Sequence, residues 1–392
     1  MQLAPILLER LDRDDAYRNG LFPVTKSNIY MAHAAVCPLP TPVADAISRF
    51  ASEGSRGNQE TPLVDQQDKD ARSRAAQLIG AAPDEIALLG PTSLGLSLVA
   101  NGLDWRAGDE VVFYKDDYPA NVYAWLALER FGVRCVRIQT EHPGVIRWPD
   151  IERVLTKQTR LVALASCNFL SGFRIDIAEI GRRLHERGIL FCLDGIQTIG
   201  AFDTPVEYVD FMSADSHKWM LGPAAAGIVY VAKRHHDTLR PSLLGAWNVR
   251  SPEFVAQHEV EYYWGARRYE PGILNYPGIA GLSAALELLL GVGPSAIEAR
   301  LLMLRFALLD GLLAKGYKMY LDDEACGANQ DEVSAIVTVF HPEKDMAAVH
   351  ADLAANGVSA SVRRNRAGQT FVRLSPHFYI TLNDVDKVVA LM

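Results

Sequence analysis

A lysine in a polar turn between two apolar runs is the first candidate for chemistry in this sequence. Lys218 lies in the stretch Ser213-Ala-Asp-Ser-His-Lys-Trp-Met-Leu-Gly-Pro223. Flanked by His217 and Trp219, its amine would be partly withdrawn from water, which favours the neutral form that attacks carbonyl carbons. Lys218 could therefore form a Schiff base with an aldehyde, or it could be one of many solvated lysines in a polar loop.

A carboxylate and an amide follow another apolar run. Asp194 comes directly after residues 189–193, and a carboxylate buried there needs a cationic or hydrogen-bonding partner to stay charged. A protonated pyridine nitrogen would be such a partner, and Gln197 could reach a substituent of the same ring. Alternatively, Asp194 caps the turn that follows.

Two further segments offer contacts for an anion and for a flat ring. The stretch Gly90-Pro-Thr-Ser-Leu-Gly95 places the hydroxyls of Thr92 and Ser93 at the start of a predicted helix. Free N–H groups and the positive dipole end of a helix suit a phosphate there, although an ordinary N-cap is equally compatible with the pattern. Tyr118, in a loop after a predicted strand, could stack on a planar cofactor or simply pack against its neighbours.

The elements that would position these residues alternate regularly between strand and helix. Predicted strands lie at 86–89, 110–114, 133–138, 160–165, 189–193, 208–212 and 224–231, and predicted helices at 94–102, 121–131, 149–156 and 176–187. This alternation predicts an α/β fold with a mostly parallel sheet covered on both faces. Ligands bind beyond the carboxyl ends of such strands, which is where Tyr118, Asp194 and Lys218 lie.

A lysine, a strand-end aspartate, a stacking aromatic and a phosphate-binding helix start are combined in pyridoxal phosphate enzymes. The chain resembles the class V aminotransferase family of fold-type I pyridoxal phosphate enzymes, which includes cysteine desulfurases, selenocysteine lyases, kynureninases and isopenicillin N epimerase-like proteins. The resemblance runs from Ile29-Tyr-Met-Ala-His-Ala-Ala35 to Val372-Arg-Leu-Ser-Pro-His-Phe-Tyr379. It implies a large domain with a seven-stranded, mostly parallel sheet and a small α+β C-terminal domain.

The resemblance also implies a role for each candidate residue. Lys218 would form the Schiff base and later act as base at the substrate α-carbon, while Asp194 binds the pyridine nitrogen and Gln197 the phenolic oxygen. The other implied contacts are Thr92, Ser93, Ser216 and His217 to the phosphate, Tyr118 to the ring face, and Asn168 to the cofactor oxygen or the substrate carboxylate. Arg373 matches the arginine that binds the substrate carboxylate, unless it is a surface residue on a short strand, and His33 is a further candidate substrate contact.

The chain departs from the family pattern in three places. Asp215 stands where many relatives have a small or hydroxylic phosphate ligand, so Ser216 or His217 could have taken over that contact. Ile273 stands where relatives often offer a threonine to the phosphate of the neighbouring subunit. Desulfurases of the family carry a cysteine nucleophile before the carboxylate-binding arginine, yet residues 357–373 contain no cysteine. Cys326 lies among acidic residues, which would raise its pKa and reduce its reactivity.

Composition restricts the remaining possibilities. The chain has 392 residues and a formal charge of −8, which argues against a nucleic-acid or anionic membrane partner. Five cysteines without a C-x-x-C pair predict neither a disulfide framework nor a metal site. The acidic and basic residues that follow the first apolar patch are unlike a signal peptide, and we expect a cytoplasmic protein.

The length predicts more than one domain. We expect an N-terminal arm (1–25) packed on the small domain, a large cofactor-binding domain (26–285) and a small C-terminal domain (286–392). The expected function is transamination, or an epimerase or lyase reaction, of an amino acid by a homodimer with shared active sites. The alternatives are a cysteine desulfurase or selenocysteine lyase and, from another class, a non-catalytic pyridoxal phosphate-binding regulator.

Overall fold

A seven-stranded sheet with helices on both faces forms the larger part of the fold in the computed structural model, which describes residues 3–60, 62–321 and 329–392. The strands are β1 (Ile29–Tyr30), β2 (Ile86–Ala87), β3 (Glu110–Tyr114), β4 (Arg134–Ile138), β5 (Thr159–Ala165), β6 (Leu190–Asp194), β7 (Phe211–Asp215), β8 (Gly227–Val231), β9 (Lys318–Met319), β10 (Val337–Phe340), β11 (Val358–Ser359), β12 (Ser361–Arg364) and β13 (Thr370–Leu374). The α-helices are α1 (Leu3–Arg13), α2 (Asp15–Leu21), α3 (Thr41–Gly54), α4 (Pro62–Ile79), α5 (Thr92–Gly102), α6 (Ala120–Leu126), α7 (Trp148–Glu152), α8 (Ile177–His185), α9 (Tyr276–Val292), α10 (Pro294–Ala314), α11 (Met346–Ala355) and α12 (Leu382–Leu391).

The large sheet has the strand order β2-β8-β7-β6-β5-β3-β4. Strands β4, β3, β5, β6 and β7 are parallel, and β8 is antiparallel to both β7 and β2. The predicted mostly parallel sheet of an α/β fold is therefore confirmed. The strand predicted at 208–212 is shifted to β7, because pairing with β8 continues as far as Asp215 opposite Gly227.

Alternating residues of the central strands face two separate apolar cores. In β3, Val111 and Phe113 pack in the core covered by α5 and α6, whereas Val112 and Tyr114 pack in the core covered by α3, α4, α8 and α9. Such two-sided burial explains why these strands read as continuous apolar runs. It also leaves the ends of the strands as the places where polar residues collect.

The C-terminal part contains a four-stranded antiparallel sheet of order β12-β13-β10-β9. The described part of the N-terminal arm packs beside it: Arg18 Nη1 donates to Asp384 Oδ2 of α12 at 2.7 Å, and the Phe22 ring stacks on Tyr379 at 4.0 Å. The β1 strand pairs in parallel with β11. Distant segments of the chain thus meet on the small sheet.

Two long apolar helices, α9 and α10, connect the two sheets. Among the described helices, no single one is long and apolar enough to cross a membrane; α9 and α10 meet that criterion only together, and they are bent by 79° to each other. The predicted boundary between residues 285 and 286 falls inside α9. The division into residues 1–25, 26–285 and 286–392 stays a prediction.

Candidate active site

The candidate residues meet where the strand order changes direction. From β3 the chain first adds β4 on one side and then places β5 on the other, so a crevice forms beyond the carboxyl ends of β3 and β5. The loops after β3 and β5 carry Tyr118 and Asn168. The end of β6 carries Asp194, and the turn after β7 carries Lys218.

Lys218 lies in the turn between β7 and β8 with 6% of its surface exposed. Its Nζ is 5.3 Å from the centre of the Tyr118 ring. Burial lowers the pKa of Lys218 to about 8, and the Asp194 carboxylate only partly opposes that effect. Lys218 is therefore not a solvated lysine, and more of its amine is neutral near pH 7 than at an exposed position.

Asp194 is buried at the end of β6, and Gln197 is buried in the turn that follows. Asp194 Oδ1 accepts a hydrogen bond from the Ile196 N–H at 3.0 Å, so the capping role and a ligand role can coexist on its two oxygens. Burial raises the pKa of Asp194 to about 6, although Lys218 lowers it. Gln197 donates to the Ala34 carbonyl oxygen at 3.1 Å and accepts from Trp219 Nε1 at 2.8 Å, which leaves one N–H of its amide.

The start of α5 is joined to the end of β7 through Asp215. Thr92 Oγ1 accepts from the Asp215 N–H at 2.9 Å and keeps its own proton for donation. Asp215 Oδ2 accepts from His217 Nδ1 at 2.7 Å, so His217 Nε2 remains for a ligand. The close approach of α5 requires glycine at position 95, since a Cβ there would lie 2.3 Å from Ser213 Oγ.

The two serines proposed as phosphate contacts differ. Ser93 is exposed in the first turn of α5, beside Thr92. The Ser216 hydroxyl is buried and donates to the Pro223 carbonyl oxygen at 2.7 Å. A phosphate contact from Ser216 would require that bond to break, whereas one from Ser93 would not.

Arg373 is a buried guanidinium with most of its donors unused. Only 1% of its surface is exposed, and Nη1 donates to the Phe169 carbonyl oxygen at 2.5 Å. Nε and Nη2 have no hydrogen-bond partner in the part of the chain that the structure describes. Burial, with Arg363 nearby, lowers the pKa of Arg373 to about 9, as expected for a buried cation that lacks an anion. The alternative of a surface residue is wrong.

The loop after β3 is held by Asp117, which sequence reasoning did not single out. Asp117 Oδ1 accepts from the Tyr118 N–H at 2.7 Å, and Oδ2 accepts from Asn121 Nδ2 at 3.0 Å and from the Ala165 N–H at 3.2 Å. Burial, with Asp194 nearby, raises the pKa of Asp117 to about 7. Its position three residues beyond the end of the buried strand β3 was the signal that could have identified it.

Tyr118 and the turn that contains Asn168 meet through the Phe169 ring. The Tyr118 ring is 48% exposed and meets the Phe169 ring edge-on at 5.6 Å. Asn168 Oδ1 accepts from the N–H groups of Leu170 and Ser171 at 3.0 and 2.9 Å. Asn168 therefore shapes the turn that presents the Phe169 carbonyl to Arg373, and only its Nδ2 could contact a ligand.

His33 is placed differently from the expectation of a substrate contact. It is fully buried, with Nδ1 bonded to the Ser375 carbonyl oxygen at 3.0 Å and Nε2 to the Tyr379 hydroxyl at 2.9 Å. Both ring nitrogens are thus used within the protein, so a polar contact to a substrate is not open to them. Its neighbour His377 bonds to the Trp219 carbonyl oxygen at 3.0 Å and supports the turn that carries Lys218.

The chain is similar to several proteins that are named as cysteine desulfurases. A "Probable cysteine desulfurase" of Methanothermobacter thermautotrophicus is 30% identical over 283 residues, or 70% of each chain. Another, of Pyrococcus abyssi, is 27% identical over 389 residues, or 94% of each chain. The apo structure of a cysteine desulfurase from Thermococcus onnurineus NA1 shares the fold, with a TM-score of 0.86, 22% identity and 96% of both chains covered.

A family model matches residues 29–388, which include every candidate site residue. The match covers the large sheet, the small sheet and both of the connecting helices. Family members use pyridoxal phosphate as cofactor, and the chain belongs to the aminotransferase class-V family of pyridoxal phosphate-dependent enzymes.

Proposed function

We propose that this chain transforms an amino acid whose α-carboxylate binds Arg373, with Lys218 as the catalytic lysine. The observation that carries the proposal is the Nε and Nη2 edge of this buried guanidinium, which has no hydrogen-bond partner among the described residues. This edge matches the two oxygens of a carboxylate, and such a bidentate pair gives both strength and orientation. It lies on the same crevice as the lowered-pKa amine of Lys218.

The residues around Lys218 fit the cofactor of the family. Asp194 keeps one oxygen beyond its bond to Ile196 for a protonated pyridine nitrogen, and Thr92 and His217 each have a donor for the phosphate. The Tyr118 ring could cover the ring face. When bound, pyridoxal phosphate supplies an aldehyde for the amine and a ring that accepts electrons.

The protein side of the mechanism follows from these positions. Arg373 orients the substrate so that its α-hydrogen can face the Lys218 amine. Lys218, whose lowered pKa increases the neutral fraction of its amine, would take that proton as general base. Asp194 holds the proton on the pyridine nitrogen, because a buried carboxylate is stabilised by the charge it faces.

We propose transamination, or an epimerase or lyase reaction, ahead of desulfuration through an enzyme persulfide. Sulfur transfer needs a reactive thiolate near the substrate, and residues 357–373 contain no cysteine. Burial raises the pKa of every cysteine that the structure describes: to about 12 for Cys37, to about 11 for Cys135 and Cys167, and well above the usual value for Cys192. Cys326 lies outside the described residues.

The names of the curated relatives favour a second candidate, a cysteine desulfurase or selenocysteine lyase type of reaction. A C–S lyase that uses no enzyme cysteine would agree with both the relatives and the described thiols. Identification of the sulfur product separates these candidates from transamination.

We also propose a homodimer. Apolar side chains are exposed along one segment of the chain, which contains Leu243, Leu244, Phe254, Val255, Val260, Trp264 and Ile273. Ile273 itself is 62% exposed. A second copy of the chain would bury these side chains and bring the Ile273 loop to the neighbouring site. A fully active monomer in sedimentation would contradict the dimer with shared sites.

The function is tested by borohydride reduction of the purified protein with its cofactor, followed by peptide mass spectrometry and a screen of amino acids for a change in cofactor absorbance. We expect the cofactor on Lys218 and a response to at least one amino acid, with its product identified. Attachment at another residue would contradict the assignment of Lys218, and a protein that binds cofactor but consumes no amino donor would be the regulator.

A further inference from the structure

A second guanidinium faces the site beside Arg373. In the small sheet, Ser361 of β12 lies opposite Arg373 of β13, and Arg363 is two residues along β12. Opposite residues share a face of an antiparallel pair, and residues two apart on one strand also share a face. Arg363 and Arg373 therefore project from the same side of the sheet as diagonal neighbours.

Arg363 is half-buried, and the part of the chain that the structure describes supplies no anionic partner for it. Its Nη1 donates to the Val362 carbonyl oxygen at 2.9 Å. No carboxylate of the described residues lies within salt-bridge distance of it. Burial lowers the pKa of Arg363, and the nearby Tyr118 hydroxyl only partly opposes that effect. The charge of Arg363 in turn adds to the effect of burial in lowering the pKa values of Lys218 and Arg373. Arg363 thus lies on the Lys218 side of the small sheet, near Tyr118.

Two neighbouring guanidinium groups repel each other unless anions lie between or beside them. Under the proposed function the α-carboxylate occupies the free edge of Arg373, and Asp194 faces the pyridine nitrogen. Arg363 then remains without an anion. One carboxylate on the substrate is too few for the cations that the site presents.

There is also space for a longer side chain beside the site. An open cavity of about 880 Å³ is lined by Asp117, Asn168, Phe169 and Arg364, among others. Asp117 precedes Tyr118 in the chain and Arg364 follows Arg363, while the carbonyl of Phe169 accepts the hydrogen bond from Arg373. A substrate side chain leaving the crevice on this side therefore has room beyond the Asn168–Phe169 turn.

We propose that the substrate is a dicarboxylic amino acid whose side-chain carboxylate binds Arg363. The proposal rests on the proposed function, because it takes Arg373 as the site of the α-carboxylate. It assigns Arg363 as a specificity residue, and it places acidic amino acids above neutral ones of the same size.

The test compares aspartate and glutamate with asparagine, glutamine and alanine on the holoenzyme, by kcat/KM and by titration of the cofactor absorbance. Wild-type protein should prefer each acid over its amide. Arg363→Gln should lower kcat/KM for the acids by about 10- to 100-fold, as for loss of a charged hydrogen bond, and leave alanine unchanged. Arg363→Lys should recover part of the loss. The exposed variant Arg106→Gln, which lies before the amino end of β3 and away from the cavity, is the matched control.

Three outcomes would overturn the inference. If Arg363→Gln lowers kcat/KM equally for the acids and for alanine, Arg363 belongs to the α-carboxylate clamp. If Arg363→Gln loses the cofactor, Arg363 is a phosphate contact. If the wild-type enzyme does not distinguish acids from their amides, the proposed side-chain carboxylate site does not exist. In each of these cases the wild type still responds to amino acids through Lys218. If the wild-type enzyme responds to no amino acid, the proposed function itself is wrong.

Discussion

The carboxylate of Asp215 accepts a hydrogen bond from His217 Nδ1 at 2.7 Å and, on the same Oδ2, from the Ala225 N–H at 3.0 Å. Asp215 Oδ1 accepts from the Ser216 N–H at 3.0 Å. An acidic residue at this position would repel a phosphate if it pointed at one. Instead, its oxygens are turned into the loop, where they fix the tautomer and orientation of His217.

Replacement of Asp215 should therefore weaken cofactor binding indirectly. We expect Asp215→Ala and His217→Ala each to raise the dissociation constant for pyridoxal phosphate, by about 10-fold for loss of a charge-assisted contact. Absorbance titration of the apoprotein measures this, with the exposed Asp203→Ala as matched control. If Asp215→Ala binds the cofactor as tightly as the wild type, His217 does not depend on Asp215. If Asp215→Ala loses affinity but His217→Ala does not, Asp215 acts by stabilising the loop and not through His217.

The lowered pKa of Lys218 predicts how fast the apoprotein captures its cofactor at different pH values. Burial lowers this pKa from 10.5 to about 8, so the reactive neutral fraction rises about tenfold per pH unit below 8 and levels off above it. The rate of cofactor attachment should follow that curve between pH 7 and 10. This range lies above the second phosphate pKa of about 6, so the phosphate charge stays constant. A rate that still rises tenfold per unit beyond pH 9 would show an ordinary lysine.

Asp194→Asn should keep the fold and the cofactor on Lys218 but lower turnover by about 100-fold or more. An amide cannot hold the pyridine nitrogen protonated, and loss of one proton-holding group costs rate on that scale. Steady-state kinetics and borohydride trapping on the same preparation separate turnover from cofactor content. Near wild-type turnover would show that Asp194 does not serve the ring nitrogen.

Arg373→Ala should weaken amino-acid binding by about 2 to 5 kcal/mol, the range for truncating one partner of a buried charge pair. Cofactor content should not change, because Arg373 bonds to the Phe169 carbonyl and not to the predicted phosphate contacts. Arg373→Lys should be a poor replacement, since a point charge loses the bidentate geometry. Titration of the cofactor absorbance measures the binding, and wild-type affinity in Arg373→Ala would exclude the clamp.

Incubation with cysteine should leave no persulfide on the enzyme. The described thiols are buried or have raised pKa values, so their thiolate fractions are low. Mass spectrometry of all five cysteines, together with an alanine assay, measures the outcome. Robust alanine production with a persulfide on Cys326 or on another cysteine would restore the desulfurase reaction as the first candidate.

The sequence by itself determined the alternation of strands and helices, the two-sided sheet and the location of Asp194, Tyr118 and Lys218 at strand ends. These features depend on the period of apolar residues and on short segments such as 189–194, so neighbours along the chain suffice to reveal them. The motifs around Lys218 and Arg373 also indicated the family that residues 29–388 match.

Only the tertiary structure decided which polar groups are already bonded and which are left for a ligand. His33 looked available, but its partners Ser375 and Tyr379 lie 342 and 346 residues away. The resemblance pointed to Arg373 as the carboxylate contact, but only its burial and its bond to Phe169, 204 residues away, show that two of its donors have no partner among the described residues. The position of Arg363 beside Arg373 follows only from the register of β12 on β13. The hydrogen-bond partners of these buried polar groups come from distant segments of the chain, so the periodicity of the sequence cannot identify them.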